Sequence, residues 1–476
     1  MPGPIKGGEF ELIEAKLILS TGKSVGLKAG TILGLTIQEN IFQYSLIGSI
    51  VIQDALNLGS FGPIIGQEYL KLKIRTPTIV DKDYIIDFTE NALMVTSLKM
   101  RQDIGHGVQA TVLNFVSREF VVNQRSRVRR NLEGSYSTIV EEMLRKDLDS
   151  KKRLYLEPSA ENKKIIAPNT SPHGIISMAS ANAVSQKHSD PTYLFFENCH
   201  GFNFKTLGHL YSIKPKLVYS HTPQAGTKYL PNGAPDVLKN IQNIESFAIT
   251  STPDIIYNNT VGVYSSEMIV HDIVSKSYTK NIYNYTTAFK NERHITDGNK
   301  KPYPLVNPLS LTEDKKNISS FPSKQFLLPT TGRTKDTSVE DGNNQYVFDS
   351  NTWHKTVQQR NSQLGMMQAG LQVAIKVPGN CILGAGDMVG CNLPYHAAFK
   401  TQKNEEFDNI YTGNFLIKEL EHNFNFGEGL LSGEHTIEMN LYKDSLQNPL
   451  YAPPDNFEPT SDHSKGTVRI NWDEDE

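Results

Sequence analysis

The feature that most constrains the fold is a concealed internal repeat. Aligned without gaps, Asn40-Ile41-Phe42-Gln43-Tyr44 falls on Asn258-Asn259-Thr260-Val261-Gly262, and Ile50-Val51-Ile52-Gln53-Asp54-Ala55-Leu56 then falls on Met268-Ile269-Val270-His271-Asp272-Ile273-Val274. Downstream, Met94-Val95-Thr96-Ser97-Leu98 answers Leu416-Ile417-Lys418-Glu419-Leu420, and Leu113-Asn114-Phe115 answers Met439-Asn440-Leu441. Few residues are identical. The weight lies in strand-like blocks recurring in one order, as a duplicated β unit requires. The blocks lie close together in the first copy and far apart in the second, so the second copy carries a large insertion.

A chain of 476 residues exceeds what one core serves, and about 100–200 residues per domain leads to an expectation of three or four domains. With 48 basic and 51 acidic residues the net charge is −3, so no overall attraction draws it to nucleic acid or an anionic membrane. Apolar runs such as Leu46 to Ile52 fall short of the roughly 20 residues of a membrane helix. Met1-Pro2-Gly3-Pro4 does not read as a signal peptide, so a cytosol-made protein without membrane contact is expected. Cys199, Cys381 and Cys391 form no CxxC pair and are odd in number, which argues for reduced, buried thiols. The 13 histidines show no HxxxH spacing, so no local zinc site and no cofactor is expected.

Residues 10 to 118 read as β. Ile32–Ile37, Tyr44–Ile52, Glu68–Ile74, Ala92–Leu98 and Gln109–Phe115 are β-branched and aromatic runs bounded by turn residues, with hairpin chemistry at Gln102–Gly107. Such spacing suggests a barrel or sandwich. After Ser117 the pattern becomes helical: Tyr136, Ile139, Val140, Met143, Leu144 and Leu148 share one face. A second helix is predicted to begin at Ser171-Pro172, a capping hydroxyl followed by a residue suited to the first turn. Residues 119–205 therefore read as mixed α/β, and β patterning returns at Ile244–Thr250. Residues 291–350 are polar and proline-interrupted, as in a loop or arm. A helix from Trp353 to Leu364 and a strand at Leu371–Val377 follow. The end, from 447, is proline-broken and acidic, with Trp472 near the terminus; it is either solvated or a strand that adds to a partner.

No catalytic constellation stands out. Gly384-Ala385-Gly386-Asp387-Met388-Val389-Gly390 lacks the lysine and following helix of a phosphate loop and reads as a turn. His271-Asp272 aligns with Gln53-Asp54, which favours a structural role over general-base chemistry. Glu141-Glu142 and Glu405-Glu406 are adjacent and read as solvated surface. Arg125, Arg127, Arg129 and Arg130 could grip phosphates, but no aromatics interleave for base stacking, so an intersubunit or partner-protein contact is favoured over nucleic acid, with plain exposed surface as the default.

Several phrases together resemble the central baseplate hub proteins of T-even-like contractile-tailed bacteriophages. They are Val121-Val122-Asn123-Gln124-Arg125-Ser126-Arg127-Val128 before a helix, Ala167-Pro168-Asn169-Thr170-Ser171-Pro172, and Leu194-Phe195-Phe196-Glu197-Asn198 leading into Gly201-Phe202-Asn203-Phe204-Lys205-Thr206-Leu207. Val270-His271-Asp272-Ile273-Val274 with Lys276 and Tyr278 completes the set. The resemblance spans most of residues 30–446; the polar insertion and the acidic tail depart from it.

It implies a non-enzymatic homotrimer in the virion's tail baseplate, assembled in the host cytoplasm. Each chain would supply two tube-like β-barrels, so that the ring matches a sixfold tail tube on one side and a threefold central spike on the other. Implied partners are tail tube or tube-initiator proteins, the spike, and baseplate wedge proteins, with DNA passing through without specific binding. The expected architecture is α+β, mainly β. A first tube-like antiparallel β-barrel would occupy 1–118 and a mixed α/β domain 119–205. The second barrel would be split between 206–290 and 356–446 by an insertion at 291–355, with the acidic tail at 447–476 helping to hold a separate spike chain. A spike-associated peptidoglycan hydrolase and the hub of a related contractile injection system are the competing readings.

Overall fold

The computed structural model describes residues 7–54, 64–77, 85–105, 108–221, 236–273, 276–296, 301–306, 317–330, 338–341, 344–347, 353–394, 407–408, 410–427 and 433–447. The chain is mainly β. Its first strands are β1 (Glu9–Ile18), β2 (Ile32–Asn40), β3 (Ile47–Asp54), β4 (Tyr69–Arg75), β5 (Leu93–Gly105) and β6 (Val108–Ser117). Alternation forms them: in β4, Leu70, Leu72 and Ile74 are fully buried, while the residues between them reach solvent.

After Ser117 come α1 (Arg118–Arg125), α2 (Tyr136–Glu142), α3 (Pro172–Asn182) and the hairpin β7 (Tyr193–Asn198) and β8 (Gly201–Thr206). The predicted helix face is buried throughout, from Ile139 and Val140 to Leu148, against Ile175, Ile176, Phe195, Phe202 and Phe204. Ser171 Oγ accepts the Gly174 N–H at 3.2 Å and Pro172 occupies the first turn, as the sequence predicts. Lys152 joins this α/β part to the strands. Its Nζ lies 2.8 Å from Glu119 on α1 and 2.6 Å from Glu197 on β7, and Glu197 accepts the Leu46 N–H at 3.0 Å.

The remaining elements are β9 (Leu217–Ser220), β10 (Ser246–Ser251), β11 (Ser265–Asp272), β12 (Ser277–Asn284), β13 (Lys324–Thr330) and α4 (Arg360–Ala369). They are followed by β14 (Leu371–Pro378), β15 (Met388–Asn392), β16 (Gly413–Asn425) and β17 (Gly433–Lys443). The predicted helix at Trp353 begins as a π-helical turn, His354–Gln359, before α4.

Two circuits of strand pairing run through one 14-stranded sheet. In the first, β16, β2, β3, β6, β5, β4, β1 and β17 pair in turn, and β17 pairs back onto β16. Leu17, Ile37, Ile50, Leu72, Val95, Leu113 and Phe424 fill it. In the second, β9, β15, β16, β17, β14 and β10 pair in turn, the β9–β15 contact being parallel. Its ends meet where Ser220 exchanges backbone bonds with Gln242 (3.0 Å) and Ile244 (3.2 Å). Tyr219, Val373, Ile375, Phe415, Ile417, Met439 and Leu441 fill this one. The long hairpin β16–β17 serves both circuits, with β16 giving Phe415 and Ile417 to one core and Phe424 to the other.

The register locates the repeat. In β5–β6, Val95 faces Phe115 and Ser97 faces Asn114, with Thr96 bulged out between them. In β16–β17, Ile417 faces Leu441 and Glu419 faces Asn440, with Lys418 bulged out. The downstream blocks therefore match residue for residue. The upstream match is corrected: Met268–Asp272 lies on β11, in a separate three-stranded sheet with β12 and β13, and Val274 lies outside the described residues. The strand flanking β17 as β3 flanks β6 is β14, with Gly48 opposite Phe115 in one circuit and Val373 opposite Leu441 in the other. The volumes compensate. The Phe115 ring occupies the space where a Cβ on Gly48 would stand, and the second circuit divides the same space between two mid-sized side chains. A gapless match of β-branched residues cannot tell β11 from β14, because both alternate.

Residues 252–370 thus enter between β10 and β14. Described parts of the polar segment are held down: Ile295 is buried, and His294 Nδ1 lies 2.8 Å from Asp444. β13 pairs in parallel with β11, and Tyr303–Pro304 pairs with Ser445–Leu446. The Asp297–Lys300 and Thr331–Lys335 stretches and the tail from 448, including Trp472, lie outside the described residues. Cys199, Cys381 and Cys391 are free and buried. Gly384–Gly390 spans the turn into β15 and the strand's start, with Gly386 at φ 88° and Asp387 Oδ2 accepting the Gly384 N–H at 2.9 Å.

Candidate functional site

One polar sheet face crosses five strands of the two circuits. Its first row runs Gln38, Glu421, Glu438, Lys376 and Ser246, neighbours on β2, β16, β17, β14 and β10. The next row runs Asn40, Glu419, Asn440, Ala374 and Ala248. These residues stand on the phase opposite the cores, since neighbouring side chains on a strand alternate. Together they line a depression of about 550 Å³.

Carboxamides hold the carboxylates. Gln38 donates to Glu421 at 2.8 Å and Asn423 donates to it at 2.9 Å, while Asn40 and Asn440 each donate to Glu419 at 2.8 Å. Lys376 lies 3.4 Å from Glu438. Three carboxylates therefore stand against one ammonium in the two rows, a surface that repels polyanions and offers no nucleophile or acid–base pair aimed at a substrate.

The arginines do not form one phosphate grip. Arg125 ends α1 and is exposed, and Arg127 donates to the Gln124 and Ser126 carbonyls at 3.2 and 2.8 Å. Arg129 donates to Asn169 Oδ1 at 2.6 Å. Arg130 is committed internally, gripping Asp147 with two bonds of 2.8 and 2.6 Å and Glu142 at 3.1 Å, and these acids raise its pKa further. His271 is the penultimate residue of β11, opposite Tyr278 on β12 and Pro329 on β13.

Sequence reasoning missed a buried polar cluster at the junction of the three regions. Glu39 on β2 accepts the Cys199 N–H and the Ala385 N–H, each at 2.6 Å. Burial pushes its carboxyl up to about 7, with Asp387 adding to the rise and the hydrogen bonds opposing it. His422 on β16 reaches diagonally to His435 on β17, Nδ1 to Nε2 at 3.1 Å, and burial lowers both imidazoles, His422 to about 3. Phe424 stacks on His435 at 4.0 Å. The available signal was phase: Glu39 follows Leu35 and Ile37, and His422 follows Leu420, on the inward-pointing positions of their strands.

No protein-family model matches the chain, and no curated protein matches it in sequence. Among solved structures it is similar to the tail protein from Neisseria meningitidis MC58, with 11% identity over 90% of this chain and 96% of that one, at a TM-score of 0.48. The 43 kDa tail protein of prophage MuSo2 from Shewanella oneidensis is 8% identical over 90% of this chain and 98% of that one, TM-score 0.48. The Francisella PdpA–VgrG complex contains a chain 11% identical over 94% of this chain and 55% of that one, TM-score 0.40. The structural neighbours of this chain are thus phage tail proteins and a VgrG complex.

Proposed function

We propose that the chain is the structural, non-enzymatic hub of a contractile phage tail baseplate. Three copies form a ring, and each supplies two tube-like β-barrels, one for each strand circuit. The ring then offers six similar positions to a sixfold tube and three equivalent ones to a central spike. The observation that carries this reading is the hairpin repeated in register, β5–β6 and β16–β17, with the same bulge in both.

On this reading residues 1–118 and the pieces at 206–290 and 356–446 are the barrel-forming regions, and 119–205 is a mixed α/β domain on their flank. The insertion at 291–355 and the tail at 447–476 serve peripheral contacts, the tail toward the spike. Tube or tube-initiator proteins, the spike and wedge proteins are the partners, in the virion's tail. The face bearing Glu419, Glu421 and Glu438 lines the channel, where excess negative charge lets DNA slide during ejection. Arg125, Arg127 and Arg129 remain available for subunit or partner contacts.

The test is mass measurement of the full chain in solution with low-resolution imaging. A threefold ring with a central hole is expected; a compact monomer at every concentration would overturn the reading. Clearing of cell-wall substrate in a zymogram would favour a hydrolase instead.

A further inference from the structure

We propose that Glu39, Cys199 and His422 bind one divalent cation of the zinc class, stapling β2, the β7–β8 turn and β16 together. One ligand-type atom from each residue lies within 4.8 Å of the other two, and all three residues are buried. Zinc bond lengths of about 2.0–2.3 Å at tetrahedral angles place ligand atoms about 3.3–3.8 Å apart, so small side-chain rotations close the set. Thiolate, imidazole and carboxylate form a mixed donor set that suits zinc and disfavours calcium or magnesium, which take oxygen.

A second observation points inward to a ligand. His422 is fully buried, and its Nε2 has no hydrogen-bond partner among the described residues, whereas its Nδ1 is held by His435. A buried imidazole nitrogen left bare is costly, and a metal ion would satisfy it. The surroundings also orient the ligands as an outer shell does. His435 fixes the His422 ring, and the Cys199 and Ala385 N–H groups each hold one oxygen of Glu39 while leaving lone pairs free. Gly379 makes room, because a Cβ there would run into the His435 ring.

Of the three ligands, Cys199 borders a cleft of about 320 Å³, together with Phe88, Asn91, Asn198 and Gly201. Binding forms a metal–sulfur bond and releases the Cys199 thiol proton to solvent, along with any proton on Glu39. The fourth position falls to water. A second trio of ligand-type groups, Glu157, His188 and His209, is less suited, since the Glu157 oxygens already accept from Ser185 Oγ and from Thr206 N and Oγ1.

The experiment uses the full chain, purified without chelators and dialysed against cobalt(II) or zinc(II) alone. Elemental analysis should give about one metal per chain. The cobalt form should show the near-ultraviolet thiolate-to-cobalt charge-transfer band and the visible absorption of a tetrahedral site. C199S should abolish the charge-transfer band, and H422Q should remove most of the bound metal while far-ultraviolet circular dichroism stays unchanged. If a variant does not fold, the wild-type cobalt spectrum decides. Wild-type protein that holds no metal, or cobalt without a thiolate band, overturns the proposal, as does a C199S variant with an undiminished band.

Discussion

Asn114 and Asn440 do the same thing in two different ladders. Each faces the residue that follows a one-residue bulge, and each donates its side-chain amide across the ladder to that residue: Asn114 to Ser97 Oγ at 3.1 Å, Asn440 to Glu419 Oε2 at 2.8 Å. The bond closes the gap that a bulge opens, where backbone pairing is locally lost.

The two bonds differ in charge, which gives a graded expectation. Asn114→Ala removes a neutral bond and should cost about 0.5–1.5 kcal/mol, whereas Asn440→Ala removes a bond to a carboxylate and should cost about 1.5–3 kcal/mol. Denaturant midpoints at constant slope would measure both. Deleting Lys418 leaves Ile417 opposite Leu441 and Glu419 opposite Asn440, so it should regularise the ladder without turning any β16 side chain to the other face, losing the bond from the Ile41 N–H to the Lys418 carbonyl. A Lys418 deletion that no longer folds would show that the hairpin needs the bulge itself and not only the pairing on either side of it.

Much of this was legible in sequence and some was not, for physical reasons. The β4 pattern and the α2 stripe are local periodicities, and their burial follows from geometry within a few residues. The Asn114/Asn440 correspondence was visible because a polar residue inside an apolar strand run is rare enough to anchor an alignment. The partner of β3 was misplaced on β11 because β-branched alternation is common, and the true partner, β14, follows a 119-residue insertion between 252 and 370. Glu39, Cys199 and His422 come from three distant stretches, so no spacing marks them; only their inward phase does. Lys152 gave no signal at all, since a lysine's burial depends on which acids the fold brings to it.

That lysine supports the second expectation. Lys152 is 7% exposed, and its partners Glu119 and Glu197 are nearly fully buried. Ser150 also donates to Glu119, at 2.6 Å. Lys152→Met leaves two carboxylates facing each other without a cation, a change that costs about 3–5 kcal/mol. Adding Glu119→Gln to Lys152→Met should recover part of that loss. Thermal unfolding of the single and double variants would decide, and a single variant as stable as the wild type would mean that the triad contributes nothing.

The acidic sheet face separates a channel wall from a subunit contact. Glu421→Lys with Glu438→Lys reverses two of its three carboxylates. If the face lines a passage, the assembly state should remain that of the wild type, while duplex DNA is retained at low salt and released as salt rises, with a steeper salt slope of up to ~0.9 per phosphate neutralised. Sizing chromatography and filter retention across a salt series would report both. Loss of assembly in a variant that still folds would instead make this face an interface.

His173 offers a pH test away from the acidic sheet face, although Glu119 of the Lys152 triad acts on it. It is 5% exposed, sits 5.1 Å edge-on from Tyr44, and its Nε2 has no partner among the described residues. Burial lowers its pKa to about 4, partly offset by Glu119. Between about pH 6.5 and 4 the unfolded chain therefore binds the proton that the folded chain refuses, so the stability His173 contributes falls as pH drops through that window and levels off below it. The span corresponds to something on the order of 3 kcal/mol. Glu292, whose carboxyl burial raises to about 7, acts in the opposite sense, so the bare pH profile of the wild type would hide the effect. The difference between wild type and His173→Phe cancels Glu292, which is common to both. Denaturant unfolding from pH 7 to 4 should show the variant gaining on the wild type as pH falls. Parallel profiles would mean that the imidazole finds solvent or an acceptor when it is protonated.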